Sequence, residues 1–307
     1  MSAAPLYDEL ERMPKGGQAF WRTTADGTRI RTAVWHGSGD KTILIFPGRT
    51  EFIEKYGDVI ARLLDRSYSV AIIDWRGQGL SDRHATKRDM GWVREFNEYQ
   101  LDVAELLGTV KDAGLPETYA LIAHSMGGAI GLRALMNDLP VEKTVFSGPM
   151  WGIHVEPKMR IPAAVIAGVG PSIGFGEKFV PTGSAEYYVL NEPFEGNVLT
   201  NDSAQYEILT RQLQAHPELG LGAPSIHWLN RARAETAKLV TQAPTKHDCL
   251  CLLGTDEAIV SCPAIRTVMA KWPNGKLVDV PGAQHEVLME GRDQLALVWG
   301  EIDAHLA

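Results

Sequence analysis

Three stretches of the chain, Thr42–Phe46, Ser69–Asp74 and Thr118–Ala123, are apolar almost without polar alternation. A strand with one wet face would alternate, so these runs predict strands buried on both sides. Helical patterns at about Ile53–Asp65 and Asn97–Asp112 separate them. Buried strands alternating with helices imply an α/β architecture, a mostly parallel sheet covered by helices on both faces. Lys143–Ser147, Cys249–Gly254, Lys276–Val280 and a closing helix near Arg292–His305 continue the rhythm. At the start, Gln18–Thr24 and Arg29–His36 are rich in aromatic and β-branched residues. Asp26-Gly27 lies between them, and the three together predict an antiparallel hairpin.

The rhythm breaks at about 150–240, where prolines and aromatic residues crowd and no buried-strand run occurs. The expected organisation is one α/β core formed by residues 1–149 and 241–307, interrupted by a helical cap at 150–240. The apolar piece Ile161–Gly170 in that cap is too short to span a bilayer. It reads as a buried helix or as a surface that meets lipid. A formal net charge of −8 argues against nucleic acid as a partner. The N-terminus lacks a basic start followed by an apolar stretch, so no signal peptide is visible and the cytoplasm is the expected compartment. Of three cysteines, Cys249 and Cys251 alternate within one strand and face the same side, and with Cys262 and His247 they lack zinc-like spacing. No metal site is expected.

Residues 123–128, Ala-His-Ser-Met-Gly-Gly, stand between a buried strand and a helical pattern. A tight strand–Ser–helix turn lifts the serine hydroxyl clear of the sheet, and Gly127 and Gly128 remove side chains that would collide with neighbouring elements. Ser125 is therefore the candidate nucleophile, and the backbone N–H of Met126 faces the same point from a helix N-terminus. In sites of this kind an acid and then a histidine follow the serine in sequence. Asp256 lies just beyond the run Leu250–Gly254, before the helix-like Ala258-Ile-Val, and His285 lies just beyond Leu277–Val280. Exits of parallel strands share one edge of the sheet. The expected triad is Ser125, His285 as base and Asp256 as the acid that fixes the imidazole. Glu257 is the alternative acid, since Asp256 could instead cap the helix after it. His124, adjacent to the serine on a sharp turn, is expected to pack under it. The second oxyanion donor is assigned to the backbone N–H of Arg49, in the loop after the first buried strand, where Gly48 permits close approach. The charges of Asp74–Ser81 are expected to brace loops beside the site.

Phe46-Pro-Gly-Arg-Thr-Glu51, Asp74-x-Arg-Gly-x-Gly-x-Ser81, His124-Ser-Met-Gly-Gly128, Gly254-Thr-Asp-Glu-Ala-Ile-Val260 and Gly282-Ala-Gln-His-Glu286 together resemble the α/β-hydrolase superfamily, within it the bacterial lysophospholipase and monoacylglycerol lipase branch. In the cap, Asn197–Asp202 and Pro224–Leu229 resemble the same branch. The resemblance covers nearly the whole chain. It implies a cofactor-free serine hydrolase that cleaves the ester of a single-acyl-chain lipid, with Ser125, Asp256 and His285 as triad and an acyl tunnel under the cap. A small-molecule esterase, a thioesterase or a proline-type aminopeptidase is the alternative on the same scaffold. Peripheral membrane contact through the cap would suit a lipid substrate. Two positions depart from the branch: Pro47 stands where many relatives carry His, and Ala123 replaces the first glycine of the G-x-S-x-G turn.

Overall fold

The computed structural model describes all residues except 156, 157, 159, 182 and 243–245. The chain opens with β1 (Ser2–Ala3) and the hairpin β2 (Gln18–Thr23) and β3 (Arg29–Trp35), whose turn places Gly27 at φ +88°. The remaining strands are β4 (Thr42–Phe46), β5 (Ser69–Asp74), β6 (Tyr119–His124), β7 (Val141–Ser147), β8 (Asp248–Gly254) and β9 (Gly275–Val280). They form one sheet in the order β1-β2-β3-β5-β4-β6-β7-β8-β9, antiparallel from β1 to β5 and parallel from there on.

Both faces of the parallel strands are buried, which accounts for their unbroken apolar sequences. Leu44, Phe46, Leu121 and Ala123 join one core cluster; Ile43, Ile45, Ala120 and Ile122 join another. The first is covered by α2 (Tyr99–Asp112), α3 (Met126–Met136) and α8 (Cys262–Met269), through Val103, Leu106, Ile130 and Ile265. The second lies under α1 (Gly57–Asp65) and α9 (Arg292–Leu306), through Val59, Leu63, Trp299 and Ile302. Each such side chain contributes about 1.5–3 kcal/mol when fully buried. Cys249 and Cys251 face the first cluster, and burial raises both thiols, Cys249 to about 12, so they pack as small apolar groups.

Between β7 and β8 the described residues add no strand to the sheet. They form α4 (Arg160–Val169), the short α5 (Tyr188–Asn191), α6 (Ser203–Ala215) and α7 (Ile226–Thr241). Asp202 and Ser225 cap α6 and α7 by accepting from the backbone N–H groups of Gln205 and Trp228. α7 lays Trp228, Ala232 and Leu239 into the first core cluster, and Glu235 pairs with Arg133 of α3 at 2.6 Å. The segment after Asp256 departs from expectation. Residues 255–260 form a turn, and the helix starts only at Cys262, where Ser261 caps it by accepting from the N–H of Ala264.

Candidate active site

The strands β4, β6, β8 and β9 run parallel, so the loops that follow them gather on one edge. At the exit of β6, Ser125 adopts φ 50° and ψ −117°, a conformation an L residue holds only when its surroundings impose it. The surroundings are closely fitted. A methyl on Gly127 would lie 2.1 Å from the Phe46 carbonyl oxygen, so only glycine lets α3 start against the β4 loop. The Ser125 N–H donates to Ser147 of β7, and its carbonyl accepts from the N–H groups of Gly128 and Met150. Ala123 fits because its methyl faces Gly131 of α3, where a Cβ would come within 3.3 Å. Pro47 directs its carbonyl to the Trp75 indole N–H at 2.9 Å.

His285, in the loop after β9, places Nε2 2.8 Å from Ser125 Oγ. Its Nδ1 lies 2.6 Å from Glu257 Oε2. A carboxylate can only accept, so Nδ1 carries the hydrogen and Nε2 is left to accept from the serine hydroxyl. The acid against the imidazole is therefore Glu257 and not Asp256. Asp256 occupies the exposed tip of the turn and, among the described residues, accepts only from the Thr255 hydroxyl, at 3.3 Å. The chain then folds back, so that the Glu257 side chain is fully buried, with Oε1 accepting from Ile259 N–H at 2.6 Å and Val260 N–H at 3.0 Å. Burial alone would raise this carboxyl. The hydrogen bond and charge of His285 outweigh burial, together with the two backbone donors, and hold the group ionised below its ordinary range. The β8 and β9 loops meet closely because Gly254 carries no side chain; a Cβ there would sit 2.2 Å from the Gln284 carbonyl oxygen.

Met126 begins α3, where the first backbone N–H groups have no intrahelical acceptor. The neighbouring loop is pinned: Gly48 N–H donates to the Glu51 carboxylate, and Gln78 Nε2 donates to the Gly48 carbonyl at 2.7 Å. Arg49 follows, lining the same cavity as Ser125 and His285. The bracing expected of Asp74–Ser81 is visible. Asp74 accepts from Ile53 N–H and Arg31 Nε, and Arg76 is paired with Asp102 and Asp26.

Beneath the site lies a buried charged group that the sequence reading did not assemble. Lys55 Nζ is 2.5 Å from carboxylate oxygens of both Glu51 and Glu286, and Tyr56 donates to Glu51 at 2.6 Å. Burial raises Glu51, but Lys55, then His124, then Tyr56 more than reverse this and bring it to about 2. His124 packs under the elbow with Nδ1 2.9 Å from the Ser147 carbonyl oxygen and its ring centroid 4.7 Å from that of His285. Burial lowers its pKa. Glu51, His124 and Glu286 also bring their ligand atoms close enough together to hold a metal ion. The Lys55 ammonium already supplies a cation to both carboxylates there. The 1,5 spacing of Glu51 and Lys55 and the adjacency of Glu286 to His285 were the available signals.

A family model described as Hydrolase_4, serine aminopeptidase S33, matches residues 37–292. A probable lysophospholipase L2 of Haemophilus influenzae is 29% identical over 252 residues, covering 81% of this chain and 78% of the relative. Lysophospholipase L2 of Escherichia coli K12 is 27% identical over 292 residues, covering 88% and 84%. Among solved structures, a soluble variant of monoglyceride lipase from Saccharomyces cerevisiae in complex with a substrate analogue matches with TM-score 0.74. The match covers 96% of this chain and 97% of that one at 17% identity. The monoacylglycerol lipase of Paleococcus ferrophilus matches with TM-score 0.65 at 17% identity, over 89% and 97%. At those identities the structural matches speak for the fold.

Proposed function

The chain belongs to the serine aminopeptidase S33 family of α/β-hydrolases and is a carboxylic ester hydrolase, and we propose that it cleaves the single acyl ester of lysophospholipids or monoacylglycerols. The observation that carries the proposal is the hydrogen-bonded series Ser125–His285–Glu257 opening into a cavity of about 440 Å³. The volume suits a small-molecule ligand, and Val189, Leu199, Leu209, Leu213, Leu221 and Met150 offer an apolar lining for one alkyl chain.

In the proposed cycle Ser125 Oγ attacks the acyl carbonyl carbon while its proton passes to His285 Nε2. Glu257 stays ionised and stabilises the imidazolium. The backbone N–H groups of Met126 and Arg49 receive the negative charge on the carbonyl oxygen. Collapse breaks the acyl C–O bond, and His285 returns its proton to the departing glycerol oxygen, leaving an acyl ester on Ser125. Water then attacks that ester, giving its proton to His285, which passes it to Ser125 Oγ as the acyl C–O bond breaks, so that fatty acid and free Ser125 are released.

Residues 150–240 act in this reading as the cap over the site, carried by the core of residues 1–149 and 241–307. Val165, Val169, Ile173 and Phe175, at and just after α4, are 56%, 50%, 60% and 43% exposed, and such a patch suits contact with the lipid surface that presents the substrate. No helix among the described residues is long and apolar enough to cross a membrane. An aminopeptidase would need a carboxylate free to hold a substrate ammonium. Glu51 and Glu286 are taken by Lys55, so Glu186 and Glu192 of the cap, which line the same cavity, are the carboxylates left to that alternative.

The test is fatty acid release from 1-palmitoyl lysophospholipid and from 1-palmitoylglycerol, lost in Ser125→Ala. Cleavage of short esters with none of either lipid would overturn the lipid reading.

A further inference from the structure

Two cations line the cavity beside Ser125, Arg49 and Lys55. Lys55 is neutralised by Glu51 and Glu286. Arg49 is different: among the described residues no carboxylate comes within ion-pair distance of its guanidinium. The half-buried Arg62 and Arg233 also lack a carboxylate among the described residues but do not line this cavity, whereas three other arginines are engaged. Arg31 pairs with Glu54 and Asp74, Arg76 with Asp102 and Asp26, and Arg83 spreads its donors over the carbonyls of Gly79, Leu219 and Gly220. Among the described residues Arg49 has one protein acceptor, the Gly222 carbonyl, 2.9 Å from Nη1. Its guanidinium carbon sits 5.7 Å from the centre of the Trp228 ring, and Trp228 is itself fixed by its N–H to Tyr99 at 3.3 Å. The fork is thus aimed by a backbone oxygen and a ring face, with donors left over.

We propose that Arg49 is the headgroup residue of this site, binding the phosphate of a lysophospholipid through the free edge of its guanidinium while its own backbone N–H faces the acyl oxygen. The assignment rests on the single-acyl-lipid reading above and narrows it to substrates with an anionic phosphate on the glycerol. A guanidinium presents parallel donors that match two phosphate oxygens, which a lone ammonium does not. Leaving such a cation without an anion in a partly buried wall is costly unless a ligand completes it. Burial lowers Arg49 only to about 10, so it remains charged at neutral pH. The position explains discrimination as well: residue 49 touches both ends of the ester, so a phosphate held there sets the distance from headgroup to Ser125.

The experiment compares 1-palmitoyl-sn-glycerol 3-phosphate with 1-palmitoylglycerol, which share the acyl ester and differ by the phosphate. In Arg49→Met the ratio of kcat/KM for the phosphorylated to the neutral lipid falls about ten- to hundredfold, chiefly through KM, and Arg49→Lys recovers part of it. A ratio changed less than about twofold, within the range of an uninvolved side chain, overturns the assignment while leaving the lipid reading intact. Release of palmitate from neither lipid instead overturns the lipid reading. A second measurement needs neither variant nor lipid turnover. Against p-nitrophenyl butyrate, sn-glycerol 3-phosphate inhibits the unaltered enzyme competitively at concentrations where glycerol does not. Equal inhibition by both overturns the phosphate site. Inorganic phosphate inhibiting as strongly as glycerol phosphate, with no preference between the two lipids, marks a free-anion site and overturns the headgroup assignment.

Discussion

Replacing Glu257 by glutamine probes which residue orients His285. The amide keeps the size of the side chain, and its oxygen can still accept from the N–H groups of Ile259 and Val260, so the turn survives. What changes is the contact of 2.6 Å with Nδ1. An amide NH₂ turned to the ring favours the tautomer with hydrogen on Nε2, aimed at Ser125 Oγ across 2.8 Å, and the ring can no longer take the serine proton. The buried negative charge that balances the imidazolium is lost in the same step. Loss of the orienting acid in a Ser-His-acid site costs about 10⁴-fold in kcat, roughly 5 kcal/mol of barrier. Asp256→Asn removes an exposed carboxylate whose contact is a neighbouring hydroxyl, and a surface change of that kind is worth ~0.5 kcal/mol, about twofold in rate. Steady-state hydrolysis of p-nitrophenyl butyrate reads both variants, with circular dichroism confirming the fold. A hundredfold loss in Asp256→Asn beside a near-normal Glu257→Gln would refute the assignment.

Gly127→Ala forces a Cβ to within 2.1 Å of the Phe46 carbonyl oxygen. The shift it demands lowers stability by about 1–3 kcal/mol or more and displaces the elbow, seen as a reduced Tm together with a reduced kcat. Glu51 is held at about 2, below its ordinary 4.5, so its contribution to stability is complete above pH 4.5 and is lost as pH falls toward 2. Thermal melts from pH 7 to pH 3 therefore show a shallower acid decline for Glu51→Gln than for the unaltered chain; parallel curves would contradict this. Replacing Ile173 and Phe175 by aspartate reduces hydrolysis of lipid presented in vesicles while sparing p-nitrophenyl butyrate, because the apolar patch lies on the surface. An equal loss on both substrates would argue against a lipid-facing role.

Much of the scaffold could be read in advance because burial on both faces leaves a mark. Thr42–Phe46 and Ser69–Asp74 lack a polar face, and the strands occupy those same residues. The Asp26-Gly27 hairpin and the Ser125 turn are local chemistry, set by residues adjacent in sequence. The acid was harder. Asp256 and Glu257 stand side by side, and the choice depends on where the chain reverses after β8. The helix does not resume until Cys262, so Asp256 faces water and Glu257 turns inward. Charge is visible in a sequence while burial is not, so nothing in the sequence joins Glu51, Lys55 and Glu286 until the loops bring them together. The loop position of Arg49 marks its backbone in the sequence, whereas the setting of its side chain depends on Gly222 and Trp228, far away in the chain.

The proposal stands on an acyl group passing through Ser125, and peptide mass spectrometry after labelling with an alkyl fluorophosphonate reads that directly. The expected result is a single adduct on the peptide containing Ser125, abolished in Ser125→Ala and slowed strongly in Glu257→Gln. No adduct, or an adduct on another residue that persists in Ser125→Ala, would contradict it.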